Sequence, residues 1–435
     1  MHNSEKSPTI ISIVRTFGRI GLLSFGGPAA QIALIHQEIV VNKNWLSERQ
    51  FLNALSFCML LPGPEAMQLA TYSGWRLHGR IGGLIAGFLF ILPGSILVLA
   101  LSSIYAIYGD VPIVKSVFVG IKATVVIIVL NALIQITKRA LQQQIHWYIA
   151  GLSFIAFFFF SLPFPLVIFV AALTGFLLTR FQIMACDPIT TKSHSKDTIH
   201  LNKTVSTILT WLIIWFGPLV LVFFIFGWNS VLTQLGYFFS KLAIVTFGGA
   251  YSVLAYMAQE VVQHYQWLDA QEMLDGLGLA ETTNGPLILV NEFVGYIAAY
   301  RFGHGDHFIL GVAGAFIALW ATFAPCFLWI FAGAPYIEKL NDLPGLKGAF
   351  DSITAAVVGV ILNLTVWFSL HVFFSTVIKN QIGPLVLWLP EINTFEWMSL
   401  AIAIIAAFAL LYFRLGIFYV LVITGTFSLI WHLLI

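Results

Sequence analysis

Charge is what this sequence has least of: Asp, Glu, Lys and Arg make up only 9% of its 435 residues, against roughly a quarter in a soluble domain. With 59% hydrophobic residues, too few polar side chains remain to cover a water-facing surface, which excludes a soluble enzyme with a large core. Cysteine is scarce too. Cys58, Cys186 and Cys326 form no C-x-x-C pair, so no disulfide framework is expected. The signatures H-E-x-x-H and G-x-S-x-G and a phosphate-cradling G-K-S/T loop are all missing, so no catalytic residues, no cofactor and no ATP-driven pumping within the chain are expected. His304 and His307 lack the further ligands a zinc site needs, so no metal is expected. A formal charge of +2 gives no reason to expect a nucleic-acid partner. Met1 to Arg15 is polar without a small-residue cleavage site, so the first apolar stretch reads as a retained anchor.

What the chain does have is apolar segments long enough to cross about 30 Å of hydrocarbon. They fall at 9–35, 50–74, 80–106, 112–137, 145–161, 163–180, 204–227, 232–258, 270–299, 306–333, 345–375, 394–412 and 415–434. The expected fold is therefore an all-α integral membrane protein of about thirteen spans. The number falls toward ten if interrupted stretches such as 145–180, with its Pro163-Phe164-Pro165, form hairpins. A Ser-, Thr-, Lys- and His-rich stretch at 182–203 is the one boundary candidate.

The two halves resemble each other. A shift of 222 residues lays Phe25-Gly26-Gly27 on Phe247-Gly248-Gly249, Gln37-Glu38 on Gln259-Glu260, Trp45-Leu46 on Trp267-Leu268 and Gly63-Pro64 on Gly285-Pro286. Farther on, a shift of 232 lays Pro93 on Pro325 and Pro112 on Pro344, so the second copy gains about ten residues between Pro286 and Gly311. This divides the chain into a first copy at 9–181, a polar cytoplasmic loop at 182–203, a linking span at 204–228 and a second copy at 229–435. With six spans per copy, the single linking span inverts the second copy. Charge agrees: with the N-terminus cytoplasmic, fourteen Lys and Arg face the cytoplasm and five, Lys43, Arg49, Lys115, Arg301 and Lys379, face outward. Inverted repeats with broken helices are the architecture of secondary transporters.

Two glycine-proline interruptions occur in each copy: Gly26-Gly27-Pro28 and Pro62-Gly63-Pro64, then Gly248-Gly249-Ala250 and Asn284-Gly285-Pro286. Each should break a span and start a half-helix. A half-helix N-terminus carries roughly +0.5 charge and free N–H donors, so it binds an anion without a basic side chain. Four such ends facing one cavity supply at most about +2, enough to balance a tetrahedral dianion. Glu65 and Glu281 beside the breaks are the proton-coupling candidates, because ionisable groups within the bilayer mark ion pathways. Glu38 and Glu260, near the interface, read as solvated span ends or caps. Lys122, opposite Thr354 in the second copy, is a candidate attractor for the anion. Gly79, Gly83 and Gly87, echoed by Gly311 and Ala315, read as close helix packing.

Phe25-Gly26-Gly27-Pro28, Leu61-Pro62-Gly63-Pro64-Glu65-Ala66-Met67-Gln68-Leu69-Ala70 and Leu92-Pro93-Gly94 resemble the N-terminal repeat of the chromate ion transporter family. Thr246-Phe247-Gly248-Gly249-Ala250 and Ala280-Glu281-Thr282-Thr283-Asn284-Gly285-Pro286 resemble its C-terminal repeat. The resemblance covers nearly the whole chain outside 182–203. It implies a long-chain, two-repeat transporter in a bacterial inner membrane that exports chromate and so gives chromate resistance, with sulfate as a close analogue. One position departs: the family's second repeat usually has proline where this chain has Asn284. The partners implied are a small oxyanion, the lipid bilayer and, as one option, a second copy in a homodimer. Oxyanion uptake or exchange and a passive anion channel are the alternatives within transport, and a membrane-embedded enzyme is the alternative outside it.

Overall fold

The computed structural model describes residues 8–181, 201–247, 249–336 and 344–434, and most of them are helical. Among them, six helices are long and apolar enough to cross a membrane: Glu65–Tyr108, Pro112–Ala140, Asn202–Phe226, His307–Tyr336, Lys347–Phe373 and Ile417–Leu434. Shorter apolar helices at Gln144–Phe158, Phe164–Arg180, Val231–Val245 and Trp397–Tyr412 accompany them. The chain is a multi-pass membrane protein. Ile213, Phe224 and Ile225 stand exposed along Leu201–Phe226, a surface suited to lipid and costly in water. Gly248 and all but the last three positions of the 182–203 loop lie outside the described residues.

The helices are α1 Ile10–Leu23, α2 Gly27–His36, α3 Glu48–Leu60, α4 Glu65–Tyr108, α5 Pro112–Ala140, α6 Gln144–Phe158, α7 Phe164–Arg180 and α8 Leu201–Phe226. There follow α9 Val231–Val245, α10 Ala250–Ala258, α11 Ala270–Thr282, α12 Val290–Phe302, α13 His307–Gly333, α14 Pro344–Phe373, α15 Trp397–Ala407 and α16 Ile417–Leu434. Their starts have local causes. Ser47 and Gln50 form a reciprocal capping box on α3, and Asp306 accepts from the Ile309 N–H at 3.0 Å to open α13. The four segments expected to carry breaks, 9–35, 50–74, 232–258 and 270–299, are each split into shorter helices at those breaks. The 145–180 stretch is two short helices, α6 and α7, separated around Pro163.

α4 is two helices joined end to end. His78 and Gly79 are non-helical, and Gly79 at φ +60° lets the chain reverse. The two arms then meet so closely that a Cβ on Gly74 would stand 2.2 Å from the Gly82 carbonyl oxygen. Gly79 is thus the turn, whereas Gly83 and Gly87 are packing positions: a Cβ there would stand 2.6 Å from Phe331 and 2.7 Å from Phe327.

Between α14 and α15, in a stretch read only as a connection, lies an antiparallel hairpin, β1 Val377–Ile382 and β2 Leu385–Pro390. Ile382 pairs with Leu385, leaving Gly383-Pro384 as a two-residue turn with Gly383 at φ +60°.

The sequence repeat reappears in the backbone. π-Helical turns occupy Gln37–Asn42 and Gln259–His264, and Asn44 and Gln266 have φ of 51° and 54°. The Trp45 N–H donates to the Ile39 carbonyl and the Trp267 N–H to that of Val261, at 2.8 and 3.0 Å. All of these pairs are 222 residues apart.

The chain forms two compact units, each drawing on both halves of the sequence. The first holds Met1–Ser103, Thr190–Ala250 and Thr283–Asn341, and the second holds Ile104–Ile189, Tyr251–Thr282 and Asp342–Ile435. In the first, α12 lies along α13, which also packs on α8 and α9. In the second, α14 packs on α5, α6 and α7, and α16 lies along α5. There the Thr124 and Thr424 hydroxyls bond at 2.7 Å and Ser428 donates to the Ser116 carbonyl at 2.6 Å.

Candidate functional site

Each of the four breaks is present where the sequence places it. Gly26, Gly27, Gly63, Gly249 and Gly285 have φ of 90°, 79°, 113°, 94° and 96°, a region L-residues rarely enter. Pro28 sits in the first turn of α2, Pro64 directly precedes α4, and Pro286 precedes the short 3₁₀ turn Leu287–Leu289 that leads into α12. Gly249 directly precedes α10.

The breaks all belong to the first unit and satisfy one another in pairs. The Gly63 N–H donates to the Thr246 carbonyl at 3.0 Å, and the Gly285 N–H to the Ser24 carbonyl at 2.8 Å. These two bonds are equivalent under the 222-residue shift, so each half of the sequence supplies the acceptor for a break in the other. Ser24 and Thr246 also match in their side chains, each donating its hydroxyl back to the carbonyl four residues earlier. An unwound span inside hydrocarbon needs its backbone satisfied by protein, and here the other break provides it.

Buried amide side chains complete the pairs. Gln31 Nε2 donates to the Gly285 carbonyl at 2.6 Å, and Gln68 Nε2 to that of Pro62 at 2.7 Å. Asn284 Nδ2 donates to the carbonyls of Gly21 and Leu22, both at 3.3 Å. Those carbonyls end α1 and would otherwise lack partners. The departure at Asn284 therefore supplies a C-terminal cap that proline cannot provide. Asn284→Ala is expected to cost about 1 kcal/mol and Asn284→Pro a similar amount; urea or thermal denaturation in detergent checks this.

Glu65 opens α4, with Oε1 3.0 Å from the point a Cβ on Gly249 would occupy and Oε2 buried without a hydrogen-bond partner. Glu281 and Lys122 belong to the second unit. Glu281 accepts from the Tyr251 hydroxyl at 3.1 Å. Lys122 is held by Gln271 Oε1 at 2.8 Å and by Asp275 Oδ1 at 3.5 Å, with Tyr105 donating to Asp275 Oδ2 at 2.8 Å. An anion at Lys122 would compete with Asp275 for the ammonium. Asp275 and Glu292 on α12 are further carboxylates within an apolar span that sequence reasoning missed, since neither flanks a glycine-proline break. Glu38 is corrected as well: it is buried and pairs with Arg19 at 3.5 Å, so it is no solvated end.

No basic side chain bonds to the breaks among the described contacts. The buried side-chain atoms left over there, Gln31 Oε1, Gln68 Oε1, Asn284 Oδ1 and Glu65 Oε2, are all acceptors. A cavity of about 250 Å³ in the second unit, lined by Val117, Ile121, Leu421 and their neighbours, is apolar and offers an anion nothing.

A known family accounts for this arrangement. The profile described as chromate transporter matches residues 11–176 and 233–429, two segments whose starts lie 222 residues apart. The chain belongs to the chromate transporter family. It is 29% identical to a chromate transport protein of Cupriavidus metallidurans over 82% of either chain. It is 28% identical to an uncharacterized transporter of Methanocaldococcus jannaschii over 85% of this chain and 87% of that protein. An uncharacterized transporter of Bacillus subtilis is 30% identical over 39% of this chain and 98% of its own length, so a relative can match less than half of it. No solved structure matches.

Proposed function

We propose that this family member is a secondary active transporter that exports chromate, with sulfate as a close analogue, across a bacterial inner membrane. The observation that carries the reading is the reciprocal pairing of the breaks, Gly63 with Thr246 and Gly285 with Ser24. It pairs breaks from the two halves of the sequence within the first unit through backbone groups, which suits backbone recognition of an oxyanion. Gly26, Gly27, Pro28, Pro62, Gly63, Pro64, Gly248, Gly249, Asn284, Gly285 and Pro286 form the binding region in this proposal. Glu65 and Glu281 are its first proton-coupling candidates, and Lys122 acts on an anion that competes with Asp275.

The repeat is read as inverted, with thirteen spans and a cytoplasmic N-terminus, and the distribution of Lys and Arg supports it. Export of a dianion runs with an inside-negative potential, which contributes about 2.3 kcal/mol per charge per 100 mV. Purified protein in liposomes with a pH gradient and the potential clamped to zero is expected to accumulate labelled chromate against its concentration gradient, with sulfate competing. Accumulation no greater than an imposed potential alone allows makes the chain a channel. Movement of neither anion under any gradient overturns the transporter reading.

A further inference from the structure

Beyond the oxyanion itself, we infer that Glu292 is a proton-binding residue of the first unit, positioned by Ser95 and coupled to the break at Asn284–Pro286. The inference rests on the transporter reading. Glu292 lies six residues past Pro286, in the first turn of α12, and is 1% exposed. Ser95 donates its hydroxyl to Oε1 at 3.0 Å, while Oε2 is buried with no hydrogen-bond partner. Among the described residues no ion pair involves Glu292. The ionisable groups on its own and adjacent elements are Tyr296, Tyr300 and Arg301 on α12, His307 and Cys326 on α13, Tyr237 and Lys241 on α9, and Glu65, Tyr72, Arg76, His78, Arg80, Tyr105 and Tyr108 on α4. Of these, Cys326 donates to the Thr322 carbonyl and His307 bonds to the Tyr300 carbonyl, so neither serves Glu292.

Three buried amides of the first unit have other partners. Gln31, Asn284 and Asn291 are nine-tenths or more buried, and each spends its amide nitrogen on an acceptor. The acceptors are the Gly285 carbonyl, the Gly21 and Leu22 carbonyls, and the Thr322 hydroxyl. Their orientations are fixed by those partners, which leaves three amide oxygens and Glu292 Oε2 without a donor. The unpaired Oε2 of a buried carboxyl is the atom that takes up a proton.

The link to the break is steric. Ser95 follows Gly94, where a Cβ would stand 2.1 Å from the Asn284 carbonyl oxygen, so any shift of Ser95 that follows proton uptake is felt at the break. From there Glu292, Tyr296 and Tyr300 line α12 at intervals of four, the two tyrosine rings stacking 5.9 Å apart toward exposed Arg301. A proton taken up on Oε2 converts the carboxylate to the acid and leaves as the cycle reverses.

The test uses the full chain in liposomes with an internal pH dye, with chromate and then sulfate as the driving anion. Wild-type protein is expected to move protons with the oxyanion. Glu292→Gln is expected to retain counterflow exchange of labelled anion while proton movement falls at least about tenfold. Proton movement at the wild-type ratio in Glu292→Gln overturns the proposal, as does wild-type flux that requires sodium in place of protons. If Glu292→Gln does not insert, Ser95→Ala decides: a pH profile of flux displaced by about half a unit or more supports Glu292, and an unmoved profile overturns it. Wild-type protein without counterflow of either anion instead refutes the transporter reading, and this inference falls with it.

Discussion

Valine at Gly63 is expected to abolish oxyanion transport and to destabilise the protein by about 3 kcal/mol. Two terms add. The φ of 113° is closed to a β-branched residue, and a Cβ there would stand 2.9 Å from Cys326 Sγ and 3.0 Å from Gln68 Nε2. Moving Gln68 also releases the Pro62 carbonyl, and moving the backbone breaks the bond to Thr246. Gly63→Ala keeps most of the backbone strain with less crowding, so it should fall between. Gly18→Val is the control, since nothing lies within 4 Å of a Cβ at that position. Melting in detergent and liposome flux check the series. A Gly63→Val protein that melts and transports like Gly18→Val removes the break from the mechanism.

Leucine at Asp275 is expected to cost about 3–5 kcal/mol, because it strands the Lys122 ammonium in the interior of the second unit. The pair is well shielded, with side-chain exposures of 15% and 9%. Removing both charges, Lys122→Met with Asp275→Leu, should recover most of that loss, because burying two matched apolar groups avoids the desolvation of either ion. The cycle of single and double variants, read by chemical denaturation, measures the coupling directly. If the double variant is as unstable as Asp275→Leu alone, the ion pair is not what holds α11 to α5. Restored stability with lost flux would mark Lys122 and Asp275 as part of the transport path as well as the packing.

The spans and their breaks were legible in the sequence because they rest on local chemistry. Glycine and proline interrupt a helix wherever they fall together, and a match at a fixed shift needs no structure to be seen. The turn at His78–Gly79 was less visible, since Gly79 also fits a small-residue packing motif and only its φ separates the two roles. The hairpin at 377–390 carried a Gly-Pro signal that was overlooked between two apolar spans. What no local pattern contains is pairing across roughly 260 residues: nothing around Ser24 says that its carbonyl meets Gly285. The same holds for Lys122. Its partner Asp275 lies in the other half of the sequence, so composition offered a lone cation where the fold provides a neutral pair. Asn284 stood out only as a departure from the family's proline, yet its amide serves α1, an element that only the folded chain brings near.

The reciprocal bonds between breaks also set an order of events during synthesis. Ser24 leaves the ribosome long before Gly285, and at about 5–20 residues per second the interval is on the order of 15–50 s. Throughout that time the end of α1 has neither the Gly285 N–H nor the Asn284 amide to complete it. The first half of the chain therefore enters the membrane with open carbonyls that water, lipid headgroups or the insertion machinery must cover until the second half arrives.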